Sequence, residues 1–427
     1  MIRAGAIGVA ALLCVSCAGD DGGDDGVAGS SGGTAATSSG ATPDDGVDDG
    51  VGPSSSDGAA GSTAAETGPD PDSTGGDTGT GTTGGAVEPG PVVVYVMDGE
   101  SSLQLWSVDD DAGTLTMQTS YDTGPGAAQL GLHPDGLHLY ATARGGGAGN
   151  RVIAYEINPA DGTLTELGVT SIEIGPVYWS IDPSGDFAFS ASFGGDEIGV
   201  WAINDDFTVA NGAIEVEDAG DEPHAIVPYP TGGWVYVPHR GTNDIRQYEV
   251  DSVSGMLSQV DVVAAAVGAG ARHLAFDPAG EHAYLADEFS DTVTHFSVDT
   301  ASGALTIMET LPTIPPEFDG GNNTCADVHV TPDGSAVYVS NRGHDSLAMF
   351  SVDATTGALT SMGQIATEAT PREFDIDPTG RFVYSAGQGT GGMAGYTIDA
   401  GGTLTAGATV NIGGTPSWVL GVELPAP

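Results

Sequence analysis

From about residue 91 the chain alternates apolar and polar positions in short runs, and turns rich in Asp, Pro and Gly separate the runs. This is the period of half-buried strands joined by tight turns. The clearest copies are ARHLAFDPAGEHAYLADE (Ala271 to Glu288) and CADVHVTPDGSAVYVSNR (Cys325 to Arg342). Each predicts two strands around a Pro-containing turn, and each ends on a charged residue at the same place. The turn proline recurs at Pro134, Pro183, Pro230, Pro278, Pro332 and Pro378, with spacings of 49, 47, 48, 54 and 46 residues. A third strand recurs seven times, as in LWSVD from Leu105, AYEIN from Ala154 and HFSVD from His295. In six copies a turn and Gly-x-Leu follow it, leading into a fourth strand. Four short strands per period of this length predict one propeller blade.

The two ends complete the count. VVVYVMD (Val92 to Asp98) matches a second strand, not a first, and the missing first strand is Pro416 to Leu420 at the C-terminus. The expectation is an all-β, seven-bladed β-propeller spanning residues 91–427, closed by its N- and C-terminal strands so that no sheet edge is left open at the joint. The longest period places an insertion at Pro312 to Asn323.

Residues 18–90 are Gly, Ser, Thr, Ala and Asp, with 14 acidic residues and no basic one. That composition buries no core and predicts a disordered acidic linker. Its Asp pairs lack the spacing of a rigid calcium loop. Before it, Met1-Ile2-Arg3, an apolar run from Ala4 to Val15, and Ser16-Cys17 predict a lipoprotein signal over residues 1–17, with Cys14 where Leu is commoner; the bland alternative is an ordinary cleaved signal peptide. Cys17 is the expected lipidation site, which implies export and a lipid anchor to the bacterial cell envelope. The apolar run is too short to cross a membrane. With Cys14 removed and Cys17 lipidated, Cys325 is left without a disulfide partner.

The 427-residue chain has nine Arg, no Lys and a formal charge of -50, which excludes binding nucleic acid or an anionic membrane surface by charge. Membrane contact is expected through the lipid only, with the chain a monomer. Within a blade, the start of strand one and the end of strand two share one rim, because the strands are antiparallel. Strand-two ends supply Gly99, Arg144, Phe193, Arg240, Glu288, Arg342 and Gln388; strand-one starts supply Ala128, Val177, His224, Arg272, Ala326, Arg372 and Ser417. Five of the eight Arg beyond the leader fall in these two rings. Clustered guanidinium groups predict a site for a small anionic ligand; the bland alternative pairs each Arg with a rim acid. His224 lies on the inner ring, and His273 and His329 on inner strands. No structural-zinc spacing, Gly-x-Ser-x-Gly elbow or phosphate loop between strand and helix is present, so no metal or cofactor is expected.

The segments Ala271-Arg272-His273 with Asp287-Glu288, Ala326 to Gly334 with Asn341-Arg342, Pro371 to Pro378, and Pro223-His224-Ala225 resemble the seven-bladed β-propeller lactonase family, which includes propeller-type 6-phosphogluconolactonases and carboxymuconate cyclases. The resemblance runs from about Val92 to Glu423. It implies an active site of His224, Arg272, Glu288 and Arg342, the four that the rim lists already bring together, with Arg240, His273, His329 and Arg372 binding substrate. Its phosphate-handling members are cytosolic, whereas this chain carries an export signal. The expected reaction is hydrolysis of a lactone: Arg272 and Arg342 hold the anion and the oxyanion, and His224 rather than Glu288 moves the proton, because Arg neighbours weaken a carboxylate base. Losing Arg272 or Glu288 is expected to abolish turnover at little cost in melting temperature. A cycloisomerase and a non-catalytic surface binding module are the other readings.

Overall fold

The computed structural model describes residues 90–145 and 149–426; the leader, Cys17 and the linker up to residue 89 lie outside them. The described residues form 28 strands and no helix. The strands make seven four-stranded antiparallel sheets. Blade one runs from β4 (Ala127–Leu132) to β7 (Leu164–Ser171), blade two from β8 (Tyr178–Ile181) to β11 (Glu215–Asp218), and blade three from β12 (Val227–Pro228) to β15 (Leu257–Ala264). Blade four is β16 (Ala271–Phe276) to β19 (Leu305–Pro312), blade five β20 (Cys325–Val330) to β23 (Leu359–Ala366), and blade six β24 (Pro371–Ile376) to β27 (Leu404–Asn411).

Blade seven closes the ring as predicted. It is ordered β28 (Trp418–Glu423), β1 (Val92–Met97), β2 (Ser102–Val108), β3 (Leu115–Asp122). β28 pairs with all six residues of β1, from Val92 opposite Glu423 to Met97 opposite Trp418. Every residue of β1 is buried, as expected of a central strand with sheet on both faces. Outer strands such as β15 and β27 are mostly exposed.

Local sequence explains the departures from regularity. Blade three has only two residues of first strand, plus one bridge from Pro223 to His239. Pro223, Pro228 and Pro230 have no N–H to give a ladder, so His224 rides on irregular backbone and donates its own N–H to the Pro238 carbonyl at 3.0 Å. The 312–323 insertion is anchored on blade five: the Thr313 hydroxyl and the Asn323 amide both donate to Asn341 Oδ1, at 2.7 and 3.1 Å.

Neighbouring blades are clasped by a device written into the repeat. The strand-two tyrosines Tyr95, Tyr236, Tyr284, Tyr338 and Tyr384 each donate a hydroxyl to the carbonyl of the turn glycine one blade on, respectively Gly162, Gly303, Gly357, Gly402 and Gly113. Each of these glycines has positive φ, from 64° to 80°, the region that a side chain disfavours. These are the glycines of the Gly-x-Leu motif. Blade two lacks the glycine, with Phe207 at φ 61° in its turn, and the Tyr140 hydroxyl that would reach it is buried without a hydrogen bond. Blade two also has Phe189 where the others have tyrosine, so Gly255 of blade three receives no such clasp. Tyr284→Phe is therefore expected to lower stability by about 1–3 kcal/mol, the cost of a buried carbonyl left unpaired. Urea melts of parent and variant check it, and equal midpoints would refute the clasp.

Candidate active site

Three of the inner strands that feed the site carry a β-bulge at their first residues. Register shifts between Ala271 and His273 in β16, Cys325 and Val328 in β20, and Pro371 and Glu373 in β24. A bulge re-aims a side chain, and Arg272 and Arg372 sit inside two of them. Glu288 is the centre. Its Oε1 accepts from Arg342 Nη2 at 2.6 Å and Arg240 Nη1 at 3.1 Å, and Oε2 lies 3.5 Å from Arg272 Nε. Arg272 is wholly buried; its Nη1 donates to the Ala326 carbonyl and its Nη2 lies 3.8 Å from Glu373 Oε1. Arg372 Nε is also 3.8 Å from that oxygen. Arg240 also bonds Glu222 at 3.1 Å and lies over the Phe193 and Phe289 rings.

The electrostatics follow from this crowding. Burial alone would raise the Glu288 pKa, but Arg342, Arg272 and Arg240 together bring it below the ordinary carboxylate value, so it is a poor base. Arg272 is pulled down to about 10 by burial and then by the Arg342 and Arg372 charges, which outweigh Glu373 and Glu288. Burial, and behind it Asp327, holds Glu373 well above the usual carboxylate range, against the pull of Arg272 and Arg372.

His224 and His273 stand with ring centres 5.2 Å apart, both buried. Burial, then the Arg272 charge, pulls His224 well below the usual imidazole value. The same causes bring His273 to about 4 against the pull of Asp327. His329 sits further along the channel-lining strands, with Nε2 2.9 Å from Asp327 Oδ2 and Nδ1 3.5 Å from Asp375 Oδ1. Burial opposes its charge, but Asp327 and Asp375 raise it to about 9. A cavity of about 210 Å³ opens beside it, lined in part by Asp327, Glu373, Asp375, Tyr178 and Trp418.

The structure brings the rim-list residues His224, Arg272, Glu288, Arg342, Arg240 and Arg372 close to one another, and His273, from an inner strand, stands beside His224. His329 is the only one of the eight to line the cavity. Sequence reasoning passed over Asp327, Glu373 and Asp375, each one or three places beyond a rim position. It also passed over His239, which is fully buried with Nδ1 3.2 Å from Asp244. Arg272 is wholly buried, deeper than a mouth residue, so its loss is expected to lower melting temperature as well as turnover. Cys325 is buried and has no disulfide partner among the described residues, and burial pushes its thiol up.

Among the described residues, two groups place three ligand-type atoms within 4.8 Å of one another: His133, Asp135 and His138, and His273, Asp327 and Glu373. Neither suits a resident ion. The Asp135 oxygens already meet both imidazoles at 2.7 and 3.1 Å, and in the second group both Asp327 oxygens are taken by imidazoles, at 2.8 and 2.9 Å.

His329 gives the fold a signature in pH. Its charged form is favoured in the native state, so its contribution is complete below the unfolded value near 6.5 and fades as pH climbs through about 9. Melting temperature is expected to fall across that window in the parent and to fall less in His329→Gln. Parallel curves would show that the two carboxylates do not hold its charge.

Comparison with known proteins places the chain in a class. A family model described as a seven-bladed β-propeller lactonase matches residues 92–420. The chain belongs to this family and is a hydrolase of the lactonase type. Its kinship is with the 6-phosphogluconolactonases: it is 35% identical over 331 residues to the protein so named from Serratia proteamaculans, covering 77% of this chain and 98% of that one. It is 36% identical over 333 residues to the Pectobacterium carotovorum protein of the same name, covering 77% and 97%. Among solved structures, a periplasmic gluconolactonase from Pseudomonas aeruginosa matches with TM-score 0.72 and 25% identity, over 78% of this chain and all of the other.

Proposed function

We propose that this protein is an exported, lipid-anchored lactonase that opens the ring of an anionic, sugar-acid-type lactone where the guanidinium groups converge. The observation that carries this reading is three arginines on one carboxylate, Glu288, with a further arginine beside Glu373. Arg272 and Arg342 are suited to hold the substrate anion and the oxyanion that forms as water adds to the carbonyl. Glu288 orients them, and a neutral imidazole, not Glu288, takes the proton. Export rests on the leader and Cys17, and the periplasmic address in the name of the P. aeruginosa relative is consistent with it. The test is a pH-stat panel with the purified chain: phosphorylated and carboxylated sugar lactones, neutral gluconolactone, and unsaturated dicarboxylates. Faster turnover of the anionic lactones is expected. Lactonisation of a dicarboxylate would make the protein a cycloisomerase, equal rates on neutral and anionic lactones would remove the anion site, and silence throughout would leave a binding module.

A further inference from the structure

We propose that Asp327 is a positioning residue for the reaction, and that His273, oriented by it, is the group that takes the proton from the attacking water. This rests on the lactone-opening reading above.

The argument begins with which ring nitrogen holds hydrogen. His273 Nδ1 lies 2.8 Å from Asp327 Oδ1. A carboxylate oxygen only accepts, so Nδ1 carries the proton, and in the neutral ring, which burial favours, Nε2 is then a bare lone pair. That Nε2 is buried and makes no hydrogen bond, while the ring is 98% buried and adjoins Arg272 in the chain. Among the described residues no carboxylate bonds or pairs with either nitrogen of His224, and its Nδ1 is likewise unbonded. A base held in one tautomer by an acid behind it is the arrangement that proton abstraction needs; His273 has it and His224 does not.

Asp327 is kept ionised from its other side. Its Oδ2 takes the cationic His329 at 2.9 Å, and the two imidazoles together hold its pKa well below the ordinary value although burial opposes them. The chain of contacts crosses blades four, five, six and seven, from His273 to Asp327, to His329, to Asp375, whose Oδ2 accepts the Gly421 N–H at 2.8 Å. The ring of His273 is further fixed by Tyr178 at 5.3 Å and by His224. The charged groups that bear on it are Arg272, Arg372 and Asp327. Burial first, and the Arg272 charge second, hold His273 near 4; an anion bound to the arginines offsets the second of these. Water then loses its proton to Nε2, hydroxide adds to the lactone carbonyl carbon, and the ring C–O bond breaks. The proton returns from Nε2 to the departing alkoxide, and water is the only reactant consumed.

The experiment has two arms on the whole chain. With ¹⁵N-labelled histidine at pH 7, His273 is expected to show a protonated Nδ1 and an unprotonated Nε2, and His329 both nitrogens protonated; a proton on Nε2 of His273 overturns the proposal. On a lactone that the parent opens, Asp327→Asn is expected to lower kcat by about 10²–10³-fold with KM changed less than about threefold. If that variant does not fold, His273→Asn in the same assay decides, with a loss of that size expected. Parental kcat in a folded variant removes the role and leaves the reaction standing. A parent that opens no lactone removes both.

Discussion

Arg272→Ala is expected to cost both activity and stability, and by more than any other single change at the site. The side chain is wholly buried and serves two blades. It belongs to blade four, it donates to the Ala326 carbonyl of blade five, and it stands 3.5 Å from the carboxylate that also gathers Arg342 and Arg240. Removing one member of a buried charge pair costs about 3–5 kcal/mol, because the partner is left with less compensation. Here the loss is tempered, since Glu288 keeps Arg240 and Arg342, so the lower end of that range is expected. Turnover is expected to fall by about 10²–10³-fold, the usual loss for an oxyanion donor. Calorimetry and initial rates on the same preparation read both. Arg342→Ala separates the effects: its side chain is one-tenth exposed, so it should lose a comparable share of turnover at a smaller cost in stability. If Arg272→Ala turns over like the parent, the guanidinium cluster is structural and the anion site falls.

Deleting the last strand is expected to have a still larger effect on folding. A chain ending at Gly414 lacks β28 and with it every backbone partner on one side of β1. The six residues exposed along that edge are Val, Val, Val, Tyr, Val and Met, all buried in the parent. An unpaired apolar strand of this kind recruits other chains. The outcome expected is aggregated material without a cooperative melt, and restoration of the cooperative melt when residues 415–427 are returned. A truncated chain that melts like the parent would mean that the ring does not depend on its closing strand.

The repeat made the fold legible because each blade repeats one problem: strands too short to bury both faces alone. The Pro-containing turns gave the period and the mismatched ends gave the closure. The rim lists found Arg272, Glu288 and Arg342 because antiparallel geometry fixes which chain positions share an end, whatever the side chain. They missed Asp327, Glu373 and Asp375 for a related reason. A bulge at the start of β20 and β24 turns the next residue toward the channel, and a bulge leaves no mark in the alternation of apolar and polar residues. The deep burial of Arg272 was hidden likewise, since a bulge and not the pattern sets it. His224 sits on irregular backbone that its three neighbouring prolines announce, but its lack of an acidic companion needed coordinates.

Five of the seven joints between blades are latched by a phenol hydroxyl, and the two that are not lie on either side of blade two. A circle opens at its weakest link, and hydrogen bonds between modules set how easily one module parts from the next. Deuterium uptake in native conditions should thus reach the amides of Phe187–Ser192 before those of the equivalent strand Ala336–Asn341, although the strands that close the ring, β28 and β1, stand two blades away. The seam by which this wheel breathes is written in an absent oxygen atom, not in its ends.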